Sequence, residues 1–297
     1  MDDMRHYLRL AGPPAFAFTP DGSFPMVNGE KGALMWTVRG PCPGFVRALE
    51  GGIQPNVIPP WAEALLDYPD AREALSAAKR LGIDARAEER PGGLWVRTEG
   101  KAAHASMPEM GRSAVGDLFR LLAALCEDEL LRRIAEAFAD PHGSGAGMGY
   151  DIPPMGKLSL NPGIVRLRDG MLEFLIDCRY PYGVGSAELT GALRARFPEF
   201  EVELSYDDPP TFTPEDDPFI RAMQTAYRLS TGWECRTWIS GGVSYSKVFG
   251  RCVTFGPVAE GSENLAHQKN ERISEADCVQ ALEVYHKAML LLSEVSL

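Results

Sequence analysis

What the chain lacks narrows its chemistry first. Its six cysteines, at 42, 126, 178, 235, 252 and 278, form no CxxC pair and no dense framework. A zinc-thiolate centre is therefore not expected, and cysteines scattered through apolar stretches read as buried free thiols of a reducing cytoplasm. No apolar run approaches the roughly 20 residues that a membrane span needs, so no membrane partner is expected. The opening Met1-Asp-Asp-Met-Arg5 has neither the basic nor the apolar segment of a secretory signal, and none is expected. Cations are scarce: 30 Lys and Arg against 41 Asp and Glu leave a formal charge of −11, with a pI near 5.0. Phosphate contacts need clustered Lys and Arg, so nucleic acid is not an expected partner. There is no HExxH, no P-loop and no GxSxG. Gly143-Ser-Gly-Ala-Gly147 is rich in glycine but lacks the preceding strand and spacing of a dinucleotide site, and reads as a flexible loop. Repeats and low-complexity segments are absent.

What is present reads as an ordinary soluble globular protein, 45% apolar and 24% charged, with 297 residues sufficient for two domains. Phe16 to Phe18 reads as a short buried strand and Glu30 to Val38 as a second extended piece. Pro60 to Leu66 and Asp70 to Leu81 are expected to be helical, and Gly93 to Gly100 a strand. Val115, Leu118, Leu122 and Leu125 recur at the spacing of one buried helix face. Met171 to Tyr180 alternates: Leu172, Phe174, Ile176 and Cys178 point one way, Glu173, Asp177 and Arg179 the other. Asp217 with Pro218 opens a helix through Leu229, and Ser274 with Asp277 resembles a capping box. The last helix is expected to bury Cys278, Leu282, Tyr285, Met289 and Leu292. These elements suggest an α/β fold: a partial doubly wound catalytic domain from residues 1–32 plus 209–297, interrupted by a long α+β lid domain at 33–208. The terminal pieces offer few strands for a doubly wound sheet, so part of that sheet is expected to lie outside this sequence.

Candidate chemistry clusters where strands empty into loops, the place where ligands gather in open α/β sheets. Asp21, in Phe16-Ala-Phe-Thr-Pro-Asp-Gly22, is either a metal ligand or the centre of a Pro-Asp-Gly turn. His267, in Gly261-Ser-Glu-Asn-Leu-Ala-His-Gln-Lys-Asn-Glu271, is either a ligand or an exposed loop imidazole. His104 lies in the polar loop Gly100 to Gly111, able to donate to an oxyanion or simply solvated. Asn56 is a polar contact or a turn residue. Arg179 can hold a carboxylate bidentately or pair with neighbours across its sheet. Gly241 and Gly242 bring backbone close to a ligand or merely turn.

Together these segments resemble the zinc-dependent aminoacylase/carboxypeptidase group, metallopeptidase family twenty, and most closely its Xaa-His dipeptidase (dipeptidase V-like) branch. The matching pieces are FTPDGSFPMVNGEKG, LEGGIQPNVIPP, GKAAHASMPEMGRSA, MGKLSLNPGIV, IDCRYP, GGVSYSK and CVTFGPVAEGSENLAHQKNERIS. The resemblance implies a hydrolase with two divalent ions (zinc, or manganese or cobalt), Asp21 binding one and His267 the other. It implies that His104 and Asn56 reach the substrate carbonyl, that Arg179 grips the C-terminal carboxylate, and that the Gly241-Gly242 turn approaches the substrate. The substrate would be a dipeptide or, in an amidohydrolase of the same group such as a succinyl-diaminopimelate desuccinylase or aminoacylase, an N-acyl amino acid. The group's His-x-Asp motif, bridging Asp and Glu-Glu pair would precede the segment holding Asp21. Two ligands do not complete a site, so the chain is expected to be the C-terminal part of a dipeptidase, inactive alone. It would be a monomer, or a complement of a missing N-terminal part. A non-catalytic lid or assembly remnant is the reading from another class.

Overall fold

Alternation in Met171–Tyr180 sets the centre of the larger unit. Leu172, Phe174, Ile176 and Cys178 all turn into one hydrophobic core. In the computed structural model of the protein, residues 2–68, 70–263, 265 and 269–295 are described. The fold is mixed α/β, and the chain divides into two compact units, Met1–Lys31 with Pro209–Leu297, and Gly32–Asp208.

The inserted unit carries an eight-stranded antiparallel sheet in the order Glu201–Asp208, Gly32–Pro41, Met171–Tyr180, Ser159–Arg168, Val46–Gly51, Trp61–Leu66, Gly93–Glu99, Ala85–Arg90. Among the described residues its α-helices are Ala71–Leu81, Ala114–Leu125, Glu129–Ala137 and Ser186–Arg196. Asp70 caps the first through the backbone N–H groups of Arg72 and Glu73, and Ser113 caps the second through Gly116. Val115, Leu118 and Leu122 are buried as their spacing predicts. Trp36, fully buried, donates its indole N–H to Thr190 Oγ1 at 3.0 Å, satisfying the one polar atom of the largest core side chain.

Two expectations fail here. Pro60 to Leu66 is not helical: Trp61–Leu66 is a strand paired on one side with Val46–Gly51 and on the other with Gly93–Glu99. Ala62, Ala64 and Leu66 are buried at a period of two, and the two alanines are small residues of a covered sheet face. Gly143 to Gly147 is also not a featureless loop. Ser144–Ala146 forms one 3-10 turn between two left-handed glycines, with Asp140 accepting from His142 N, Ser144 N and Ser144 Oγ.

In the terminal unit Met26–Glu30 is the organising strand. It pairs antiparallel with Cys252–Thr254 and Thr211–Phe212 and parallel with Thr237–Ser240, while Ala17–Thr19 joins parallel to Cys252–Thr254. Phe24, Met26, Val253 and Phe255 pack with Phe219, Met223 and Tyr227 of the helix Pro218–Thr231. Asp217 and Ser274 cap Pro218–Thr231 and Glu275–Ser293, each accepting from a first-turn backbone N–H as expected. The buried stripe of Glu275–Ser293 differs from expectation. Ala281, Val284 and Ala288 are inside, whereas Leu282 is 68% and Met289 58% exposed. At 100° per residue the two stripes lie one position apart, and the small one permits close approach to the helix Pro218–Thr231.

The thiols divide likewise. Cys178, Cys235 and Cys252 are buried and Cys42 and Cys126 half-buried, but Cys278 is exposed, on the solvent side of the last helix. Burial, aided by nearby carboxylates, pushes Cys235 and Cys252 up to about 12. A thiol-specific disulfide reagent at pH 8 should therefore show one fast phase, abolished by Cys278→Ser, with the buried thiols appearing only on unfolding. A fast phase that survives Cys278→Ser would contradict this burial pattern.

Candidate functional site

In the terminal unit the chain leaves Ala17–Thr19 through a bend at Asp21, whose carboxylate is exposed, and pairs Gly22–Ser23 with Pro257–Val258. Gly22 is needed there: a Cβ would stand 2.7 Å from Thr254 Cγ2. Asp21, Ser23, Ser240, Gly242, Ser244 and Thr254 line a cavity of about 180 Å³ together with Glu30. Asp21 and Gly242, 221 positions apart in sequence, are thus brought together by the parallel pairing of Thr237–Ser240 with Met26–Glu30.

Glu30 builds this cavity, although its sequence context gave no sign of it. It is 2% exposed, and its carboxylate accepts from Ser244 N at 2.9 Å, Ser244 Oγ at 2.5 Å, Ser246 Oγ at 2.8 Å and Thr254 Oγ1 at 3.3 Å. A buried carboxylate is tolerated only when such donors replace its water. Those donors fix the turn that carries Gly241 and Gly242. Ser244 also caps the 3-10 turn Tyr245–Val248 by accepting from Ser246 N, Gly242 N donates to Ser240 Oγ at 2.9 Å, and Lys247 Nζ donates to the Lys31 carbonyl.

As a candidate metal ligand, Asp21 supplies a hard oxygen of the kind zinc, manganese and cobalt accept, and it is the cavity carboxylate not already committed to serine and threonine hydroxyls. Among the described residues no three His, Cys, Asp or Glu gather into a metal-holding group, and His267 lies outside the described residues.

In the inserted unit Arg179 does not stand on a solvated face. It is 7% exposed beside Asp177 at 2%, and donates Nε to Oδ1 at 2.9 Å and Nη2 to Oδ2 at 2.8 Å. Asp177, the acceptor of both, is two residues along the same strand. Asn56 lies in the turn before Val57, which bridges to His104, and Asn56 O accepts from Ala105 N at 2.9 Å. The structure thus brings Asn56 and His104 side by side. His104 Nδ1 faces Ser106, whose backbone N–H can only donate, so Nδ1 is the acceptor and the neutral ring carries its proton on Nε2. Burial, then the Arg179 charge, lowers the imidazole below its ordinary 6.5, with Asp177 opposing. At neutral pH the ring is an uncharged Nε2–H donor.

The mixed α/β fold agrees with the family that the sequence suggested. The chain belongs to Peptidase family M20/M25/M40, whose profile matches residues 8–291. It is 27% identical to a putative dipeptidase of Staphylococcus epidermidis over 96% of this chain, and 28% identical to the putative dipeptidase YtjP of Bacillus subtilis over 98%. The chain spans 66% of the length of each. Among solved structures, aminoacylhistidine dipeptidase of Vibrio alginolyticus is similar over 94% of this chain and 65% of its own, with a TM-score of 0.48 and 13% identity. Human carnosine dipeptidase 1 is similar over 98% and 62%, with a TM-score of 0.47 and 14% identity.

Proposed function

We propose that the protein serves metal-dependent hydrolysis of dipeptides. The observation that carries this reading is the shared cavity of Asp21 and Gly242 over the buried Glu30. Asp21 and His267 would each hold one of two divalent ions, zinc or alternatively manganese or cobalt. When bound, such ions lower the pKa of water and polarise a scissile carbonyl. His104, neutral and protonated on Nε2, donates to the substrate oxygen as it gathers negative charge, with the Asn56 amide beside it as a second donor. Arg179, oriented by Asp177, receives the substrate's C-terminal carboxylate. Gly242 allows the substrate backbone to lie close. The free thiols fit a reducing compartment, the cytoplasm. No helix among the described residues is long and apolar enough to cross a membrane.

Catalytic zinc usually holds about three protein ligands. One ligand to each ion falls short of that, so weak metal binding and no turnover are expected of these 297 residues by themselves. The test assays the chain alone and mixed with the part of the Bacillus subtilis relative outside the match. Alanyl-histidine, N-acetyl and N-succinyl amino acids are the substrates, with zinc, manganese or cobalt. Chelator-sensitive dipeptide cleavage in the mixture, lost in His104→Ala, supports the reading. Preference for N-acyl substrates moves it to an amidohydrolase. Dipeptide cleavage by the chain alone would overturn the two-ligand assignment.

A further inference from the structure

Residues 52–60 run between the strands Val46–Gly51 and Trp61–Leu66, and this connection carries Asn56. It lies against the strand Ser159–Arg168 more closely than side chains allow. Gly52 has φ +79°, and a Cβ there would meet Gly163 O at 1.9 Å. A Cβ on Gly163 would meet Pro55 O at 2.1 Å. The strand shifts register between Pro162 and Ile164 at this point. Just before the shift, Asn161 is 5% exposed and donates Nδ2 to two carbonyls, Pro55 O at 2.8 Å and Val57 O at 3.0 Å. Both amide hydrogens are thus spent on the residues flanking Asn56.

From there the contact reaches His104. Ile58 N donates to Ala103 O, Ala105 N donates to Asn56 O, and Val57 bridges to His104. On its other side Asn161 pairs in register with Asp177, the partner of Arg179. We propose that Asn161 is a positioning residue: its amide clamps the carbonyls around Asn56 and so sets Asn56 and His104 against the strand pair that carries Arg179. That these three residues meet substrate rests on the function proposed above; the clamp itself does not.

The test uses the full chain with labelled histidine, assigned through His104→Ala, and amide exchange read residue by residue. Asn161→Asp keeps the shape and removes the donors; Asn161→Ala removes both. In each, amide exchange at Ile58 and Ala105 should quicken at least about tenfold, the equivalent of losing roughly 1.4 kcal/mol of local stability. The His104 titration should move up toward its ordinary value as the ring leaves its buried place. Exchange in Ala71–Leu81 should stay as in the parent. Unchanged exchange and titration in a folded variant would overturn the proposal. Should both variants fail to fold, Asn161→Ser, which keeps one donor, decides: intermediate exchange supports the clamp and parental exchange overturns it. Alanyl-histidine binding separates the two readings. Exchange that quickens while binding holds leaves the clamp and removes the substrate role. Binding that weakens while exchange and titration hold removes the clamp.

Discussion

Asp177→Ala will cost the inserted unit about 3–5 kcal/mol, the range for breaking a buried ion pair from one side. Asp177 and Arg179 are both nearly inaccessible and joined by two parallel hydrogen bonds. Removing the carboxylate takes from a buried guanidinium the counter-charge to which it makes two hydrogen bonds. Asp177→Asn keeps the volume and one acceptor and should cost less. The double replacement Asp177→Leu with Arg179→Met should recover much of the loss, because an apolar pair of similar size is often as stable as the ion pair it replaces. Urea unfolding followed by exchange at Met171–Tyr180 measures all three. A single Asp177→Ala costing under about 1 kcal/mol would show the pair to be effectively solvated, as exposed pairs are.

Glu30→Ala is the counterpart in the terminal unit, with an expected loss of about 3 kcal/mol, since hydrogen bonds to a charged acceptor contribute about 1.5–3 kcal/mol each and do not add fully. Ser244 N, Ser244 Oγ, Ser246 Oγ and Thr254 Oγ1 all lose their acceptor at once. Hydroxyls can rotate to other partners, but the Ser244 amide cannot. Glu30→Gln should be milder but still felt, because the amide nitrogen would face a donor. The local readout is exchange of the Ser244 and Ser246 amides, which should open together while the helix Pro218–Thr231 stays protected. Protection of both amides in Glu30→Ala would mean that the turn holds itself without the carboxylate.

Much of the framework was legible because it is local. Caps at Asp217 and Ser274 announce helices through one side chain and one backbone N–H, and alternation in Met171–Tyr180 announces a strand without knowledge of its neighbours. Failures came where tertiary burial decides. Pro60 to Leu66 was expected to be helical, yet strands on both sides claim it. In the last helix the buried stripe is Ala281, Val284 and Ala288, one position away from the larger side chains expected there. The site divides the same way. Asp21, His104 and Arg179 stand out as polar groups at strand ends or in motifs. Glu30 and Asn161 were not singled out. Their partners lie 214 and 106 residues away, beyond the reach of any local pattern.

The inserted unit begins and ends on neighbouring strands, with Ala33 directly opposite Asp208. A segment whose two cut points lie side by side can be lifted out of a gene and bridged by a short loop, or produced by itself, without stretching either remainder. Shuffling of that cassette among otherwise different hosts would be inexpensive in structural terms, and an engineer wishing to exchange the inserted unit has natural seams at which to cut.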